Sequence, residues 1–200
     1  SGTRLYNALN TAVASDLSTM TNLVGSETLV LSSSGTLANA NVGSNKTVTI
    51  GSLSLANGSN GGLAANYTLT GGTHQLTVNA APISFTGTRQ YDGSLSASSS
   101  DITMTGQQGG EDLTVTGAGS IVSKNVANSK TVNVSGLTLG NGVSGTAGTA
   151  SNYTFTGGTQ TINVTQRILN SSGSRDYNST TTAAAALLTL TNEVGSETLT

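Results

Sequence analysis

Apolar and polar residues alternate along short stretches of this chain. Lys130-Thr131-Val132-Asn133-Val134 sets Val132 and Val134 on one face and Thr131 and Asn133 on the other. Residues 46–50 do the same with Val48 and Ile50. Leu76-Thr77-Val78 and Ile162-Asn163-Val164 repeat the pattern, and Leu29-Val30-Leu31 and Leu113-Thr114-Val115 are further strand candidates. A period of two marks half-buried strands, because successive side chains point to opposite faces. Glycine and Asn/Ser clusters separate these stretches at hairpin-like spacing. About seven short strands for each recurring block predict an all-β chain of immunoglobulin-like or related β-sandwiches. Helix is not expected, except for a turn around residues 180–188, where alanines accumulate.

The blocks recur at long range. Arg4-Leu5-Tyr6-Asn7, Arg89-Gln90-Tyr91-Asp92 and Arg175-Asp176-Tyr177-Asn178 begin alike, with the tyrosines 85 and then 86 residues apart. Gly25-Ser26-Glu27-Thr28-Leu29 matches Gly109-Gly110-Glu111-Asp112-Leu113 and Gly195-Ser196-Glu197-Thr198-Leu199. Asn66-Tyr67-Thr68-Leu69-Thr70-Gly71-Gly72-Thr73 matches Asn152-Tyr153-Thr154-Phe155-Thr156-Gly157-Gly158-Thr159. So long a period excludes a β-helix and suits an array of small domains. The expected repeats are 1–81, which lacks its first strand; 82–165, which is complete; and 166–200, which is truncated. Neither junction carries a Gly/Ser run, so an elongated rod with short, ordered junctions is expected.

Composition narrows the function classes. Charged residues make up 8%, with 7 basic against 9 acidic and a net charge of −2. The basic residues are scattered, whereas nucleic acid calls for clustered Lys and Arg, so no nucleic-acid partner is expected. No apolar stretch is long enough to span a bilayer, so this segment is not expected to insert in a membrane. The absence of cysteine removes disulfides and thiolate metal sites and fits a protein exported by a bacterium.

Candidate chemistry is thin. His74 is replaced by Gln160 in the next repeat and reads as a surface strand residue. Glu27, Glu111 and Glu197 recur, but each repeat holds too few acids for glycosidase or Ca²⁺ chemistry, and they read as polar turn residues before a strand. Lys46 and Lys130 read as exposed charges at strand starts that discourage edge pairing. Tyr6, Tyr91 and Tyr177 form one recurring set and Tyr67 and Tyr153 another. In so aromatic-poor a chain they are expected to be core pieces, with Tyr67 and Tyr153 mostly buried. No catalytic, cofactor or metal residue is assigned, and no enzyme is expected.

Tyr91-Asp92-Gly93, Lys124-Asn125-Val126, Lys130-Thr131-Val132, Ser135-Gly136-Leu137 and Asn152-Tyr153-Thr154 together resemble the YDG-type and related MBG-type tandem repeats. Those repeats belong to large secreted bacterial proteins, many of them two-partner-secretion adhesins of the filamentous-haemagglutinin-like kind. The first repeat departs mildly, with Leu5-Tyr6-Asn7-Ala8 in place of Tyr-Asp-Gly. The resemblance implies structural stalk repeats of an adhesin, located outside the cell at a bacterial surface or in a biofilm matrix. Their partners would be neighbouring repeats of the same chain, with exopolysaccharide or host and cell-surface glycans engaged through other domains. A carbohydrate-binding module acting by multivalency and a self-associating extracellular fibre subunit are the alternatives.

Overall fold

The structure, a computed structural model, describes residues 1–199; Thr200, where the expected third repeat ends, lies outside them. The first strands are β1 (Gly2–Leu5), β2 (Thr11–Val13), β3 (Leu29–Ser32), β4 (Ser34–Thr36), β5 (Gly43–Thr47), β6 (Ser54–Asn57), β7 (Gln75–Asn79) and β8 (Ala81–Pro82). Next come β9 (Ser84–Gln90), β10 (Ser96–Ser98), β11 (Ile102–Thr105), β12 (Leu113–Ser120), β13 (Ala127–Thr131) and β14 (Leu137–Asn141). The last are β15 (Tyr153–Thr154), β16 (Thr161–Thr165), β17 (Asn170–Gly173) and β18 (Leu188–Thr191). The chain is all-β. Helical structure among the described residues consists of short 3₁₀ turns, one of them Ala185–Leu187 in the alanine stretch.

Two of the alternating stretches supply the inner strands β7 and β16. Leu76 and Val78 on β7 are 0% and 1% exposed, and Ile162 and Val164 on β16 are both 1% exposed. β1 pairs in parallel with β7, Arg4 opposite Val78, and β5 pairs antiparallel on the other side, Lys46 opposite Leu76. The second repeat reproduces this: β9 lies parallel to β16, Arg89 opposite Val164, and β13 antiparallel to it, Lys130 opposite Ile162. The parallel pairing delivers a tyrosine to the end of each central strand. Tyr6 N donates to Asn79 O at 2.7 Å and Tyr91 N to Thr165 O at 2.9 Å.

Two glycines at equivalent positions let strands approach closely. A Cβ on Gly35 would sit 2.4 Å from Thr49 O, and one on Gly119 would sit 2.7 Å from Asn133 O. Their neighbours pair there, Thr36 with Thr49 and Ser120 with Asn133.

The described chain divides into two compact units. One joins Ser1–Ser84 with Met104–Val115 and Leu139–Gly158; the other holds the rest. The core of the first unit combines Leu17, Leu37, Leu53 and Val78 from the first repeat with Leu113 and Tyr153 from the second. The backbone explains this mixture. β8 pairs in parallel with β15, and Ile83 N donates to Thr154 O at 2.7 Å. In the second unit Phe85, Ala97, Ile121 and Val132 are buried, as are Ile162 and Val164 on β16.

Candidate functional site

The arginine that opens each repeat staples the loop that follows it. Arg4 donates to the carbonyls of Thr11 and Leu9 and meets Asp16 at 3.1 Å. Arg89 donates to Asp92 and, at 2.8 Å, to Ser94 O. Arg175 donates to Asn178 Oδ1 and Thr180 Oγ1, both at 2.7 Å. A guanidinium suits this work because its fork of fixed donors reaches several acceptors at once.

The tyrosine two residues later meets a glutamate. Tyr6 donates to Glu111 Oε1 at 2.6 Å, and Tyr153 donates to Glu111 Oε2 at 2.6 Å. The two rings stand edge to face, 5.3 Å between centroids and 78° between planes, the arrangement their quadrupoles favour. Tyr153 Oη also accepts from Gln108 N at 2.9 Å. One carboxylate thus ties a tyrosine of the first repeat to a tyrosine of the second, all within the first compact unit.

Asn152 reinforces the clamp. It is 1% exposed; its Oδ1 accepts from Val42 N and its Nδ2 donates to Asn41 Oδ1, each at 3.0 Å. Lys46 steadies the loop that supplies Asn41, donating to Asn39 O at 2.9 Å, to Asn39 Oδ1 at 2.8 Å and to Asn41 O. Burial, aided by Arg4, lowers the Lys46 ammonium pKa. Lys46 is therefore half-buried and ties down a loop, which corrects its expected role as a free surface charge. Lys130, its counterpart, sits half-buried on β13.

The other landmarks form partial versions of the clamp. Tyr67 donates to Glu27 Oε2 and accepts from Val24 N at 3.1 Å. The hydrogen bond to Glu27 raises the phenol's pKa. In the second unit Tyr91 donates to Glu197, and Lys124 Nζ reaches the same carboxylate oxygen at 2.7 Å while lying 5.7 Å from the Tyr91 ring centre. Lys124, then Tyr91, hold the Glu197 carboxyl below its usual range. Tyr177 is 93% exposed and, among the described residues, stands outside any such pair.

Burial of the tyrosines is therefore uneven. Tyr6 and Tyr153 are core residues, as expected, at 4% and 5% exposure. Tyr67 and Tyr91 are only half-buried and Tyr177 is open, which corrects the expectation for all three. The reason is contact: Tyr153 has Tyr6 and β8 against it, and Tyr67 has no such cover among the described residues. The glutamates do follow turns, Glu111 N donating to Gln108 O at 2.9 Å, but their carboxylates also anchor the tyrosines. Among the described residues no three His, Cys, Asp or Glu side chains gather where they could hold a metal ion.

Sequence reasoning missed Arg4, Arg89 and Asn152 as working residues. The signal was present in the Arg-x-Tyr spacing shared by three repeats and in the Asn before each Asn-Tyr-Thr tyrosine.

The clamp predicts alkaline lability. Burial first, and then the hydrogen bond to Glu111, push the Tyr6 phenol up to about 12; the same two causes push Tyr153 upward as well. A raised folded-state value means the stabilisation is complete below the free phenol's pKa of about 10. It is lost as pH rises through about 12. Phenolate absorbance of the folded chain should therefore lag that of the chain in denaturant. Coincident titration curves would show that the buried pair does not exist.

The fold and this network define an all-β tandem-repeat protein whose repeats share tyrosine–carboxylate clamps. The YDG domain family matches the chain in two copies, residues 1–74 and 73–162, and the chain belongs to that family. No curated protein and no solved structure matches it. The family shares its designation with the SRA/YDG domain, which binds methylcytosine in DNA. The match thus does not carry the adhesin attribution, and the expectations built on it are corrected: the stalk function, the secreted and biofilm setting, and the glycan partners. The exclusion of nucleic acid is corrected too, because it rested on the scatter of basic residues alone and modified DNA is the ligand the shared designation raises.

Proposed function

We propose that this chain is a non-catalytic module whose repeats are coupled through shared tyrosine–glutamate clamps. The observation that carries this is Glu111, which accepts from Tyr6 of one repeat and Tyr153 of the next. In repeat proteins, stability is the sum of each repeat's own stability and the terms between neighbours. A hydrogen bond to a buried charge contributes about 1.5–3 kcal/mol. The clamp is therefore large enough to make two repeats unfold together. The finer architecture of an immunoglobulin-like sandwich in each repeat is part of this proposal; the antiparallel pairs β2–β4 and β3–β6 support it.

The test is a double-mutant cycle on Tyr6→Phe and Glu111→Gln. We expect a coupling energy above about 1 kcal/mol, since contacting residues in one network do not act additively. Additive effects would remove the clamp as a coupling element.

Modified DNA is the second reading, favoured by the family designation. Six of the seven basic side chains already donate to groups of the protein: Arg4, Lys46, Arg89, Lys124, Arg167 and Arg175. Any duplex contact falls largely to polar groups and Lys130. Methylated and unmethylated duplexes titrated at about 50 and 200 mM salt separate the cases. A preference for the methylated duplex supports recognition of the base; no binding at low salt leaves the coupling reading alone.

A further inference from the structure

Three Asn-Gly pairs stand in this chain: Asn57-Gly58, Asn60-Gly61 and Asn141-Gly142. Such a pair reacts with itself when its atoms are free to meet. The glycine N attacks the asparagine Cγ, ammonia leaves, and a five-membered succinimide forms. Water then opens the ring to aspartate or isoaspartate. The step needs a mobile side-chain amide and an untethered glycine N–H, and glycine is the follower that obstructs it least.

Two of the pairs are held against this. Asn57 Oδ1 accepts from Ala64 N and Asn141 Oδ1 from Ala150 N, each at 2.8 Å. Gly58 N donates to Gly62 O at 3.0 Å and Gly142 N to Gly148 O at 2.9 Å. Both glycines are also packed: a Cβ would lie 2.0 Å from Thr28 O at Gly58 and 2.3 Å from Asp112 O at Gly142. Asn60-Gly61 lacks these restraints. Gly62 N donates to Ser59 O at 3.1 Å across a tight turn whose central residues, Asn60 and Gly61, have φ of 56° and 86°, the left-handed pair that Asn-Gly suits. Both are exposed. Gly61 N donates to no backbone group among the described residues, and the nearest atom to a Cβ there would be Glu27 Oε1 at 3.8 Å. One bond restrains the side chain, from Asn60 Nδ2 to Ser26 O at 3.0 Å. The counterpart turn of the second repeat, residues 143–145, is exposed too, although the first repeat shares its compact unit.

We propose that Asn60-Gly61 is a self-modifying site, whose conversion to aspartate or isoaspartate loosens the loop that carries Glu27. The amide that donates to Ser26 O becomes a carboxylate facing that carbonyl, acceptor against acceptor. Its charge arrives close to the Glu27 carboxylate and repels it. Glu27 is the partner of the Tyr67 hydroxyl, so that pair weakens with the loop.

The test is peptide mapping of the full chain after prolonged warming in mildly alkaline buffer. Asn60 should convert at least about tenfold faster than Asn57 or Asn141, each of which must first break two hydrogen bonds. Equal rates at the three sites, or conversion of Asn57 or Asn141 ahead of Asn60, overturn the assignment. The loop is read with Asn60→Asp in the full chain, against Asn60→Ser, which removes the amide without adding charge. The aspartate should shift the amide resonances of Ser26 and Glu27 and lower the Tm below that of the serine variant. Aspartate and serine variants that coincide in both readouts overturn the loosening. Asn60 makes no contact with the Tyr6, Glu111 and Tyr153 network through its one side-chain bond, so the Glu111 cycle is decided independently.

Discussion

Tyr153→Ala is expected to destabilise the chain by about 3–5 kcal/mol, the range for truncating a buried aromatic. The ring is 5% exposed and packs edge to face on Tyr6. Its hydroxyl donates to Glu111 and accepts from Gln108 N, and its backbone pairs with β8. Truncation opens a cavity beside Leu113 and Ile83 and leaves half of a carboxylate without its donor. Tyr153→Phe separates these contributions, because it keeps the ring and should cost about 1.5–3 kcal/mol for the lost charged hydrogen bond. Tyr67→Ala is the control. It occupies the same place in its repeat but is half-buried, so its cost should stay under about 2 kcal/mol. Urea titrations of the three variants give the values. Equal costs for Tyr67→Ala and Tyr153→Ala would contradict the difference in packing between the two sites.

Arg89→Ala should follow closely, at about 3 kcal/mol, the low end for removing one partner of a buried ion pair. Arg89 is 8% exposed, yet its partner Asp92 has a side chain 49% exposed, so water recovers part of the loss. The larger share comes from the stem, which packs where β9 runs beside Val164, and from the carbonyl of Ser94 that loses its donor. The loop that follows Tyr91 is then no longer tied to the strand before it. Arg89→Lys should recover little, because a single ammonium cannot reach both Asp92 and Ser94 O as the guanidinium fork does. Chemical denaturation measures the stability. Recovery by lysine to within about 0.5 kcal/mol of the native chain would show that charge alone is at work.

Much of the fold was legible along the chain. Leu76, Val78, Ile162 and Val164 alternate with polar residues, and they are the buried face of the central strands. The landmark residues were legible as well, but each was read alone, the tyrosines as core and the glutamates as turns. Their pairing was not visible, because Tyr6 and Glu111 stand 105 residues apart and Tyr91 and Glu197 stand 106 apart. Those separations exceed the repeat period, so each contact joins one repeat's opening to the next repeat's turn. A periodic pattern shows that two residues recur; it does not show which copies meet.

By itself the sequence determined an all-β chain with a long repeat, because side-chain alternation and glycine-rich turns are local properties that every strand writes into its own residues. It also determined that Arg-x-Tyr and Asn-Tyr-Thr recur from repeat to repeat. Only the tertiary structure decided that Glu111 serves two repeats, that Asn152 is fully enclosed, and that Tyr67 lacks the cover Tyr153 enjoys. Those outcomes depend on chain segments distant in sequence closing on one another. Closure of that kind is set by the sum of many small burial and hydrogen-bonding terms against loop entropy, which no single stretch of residues records.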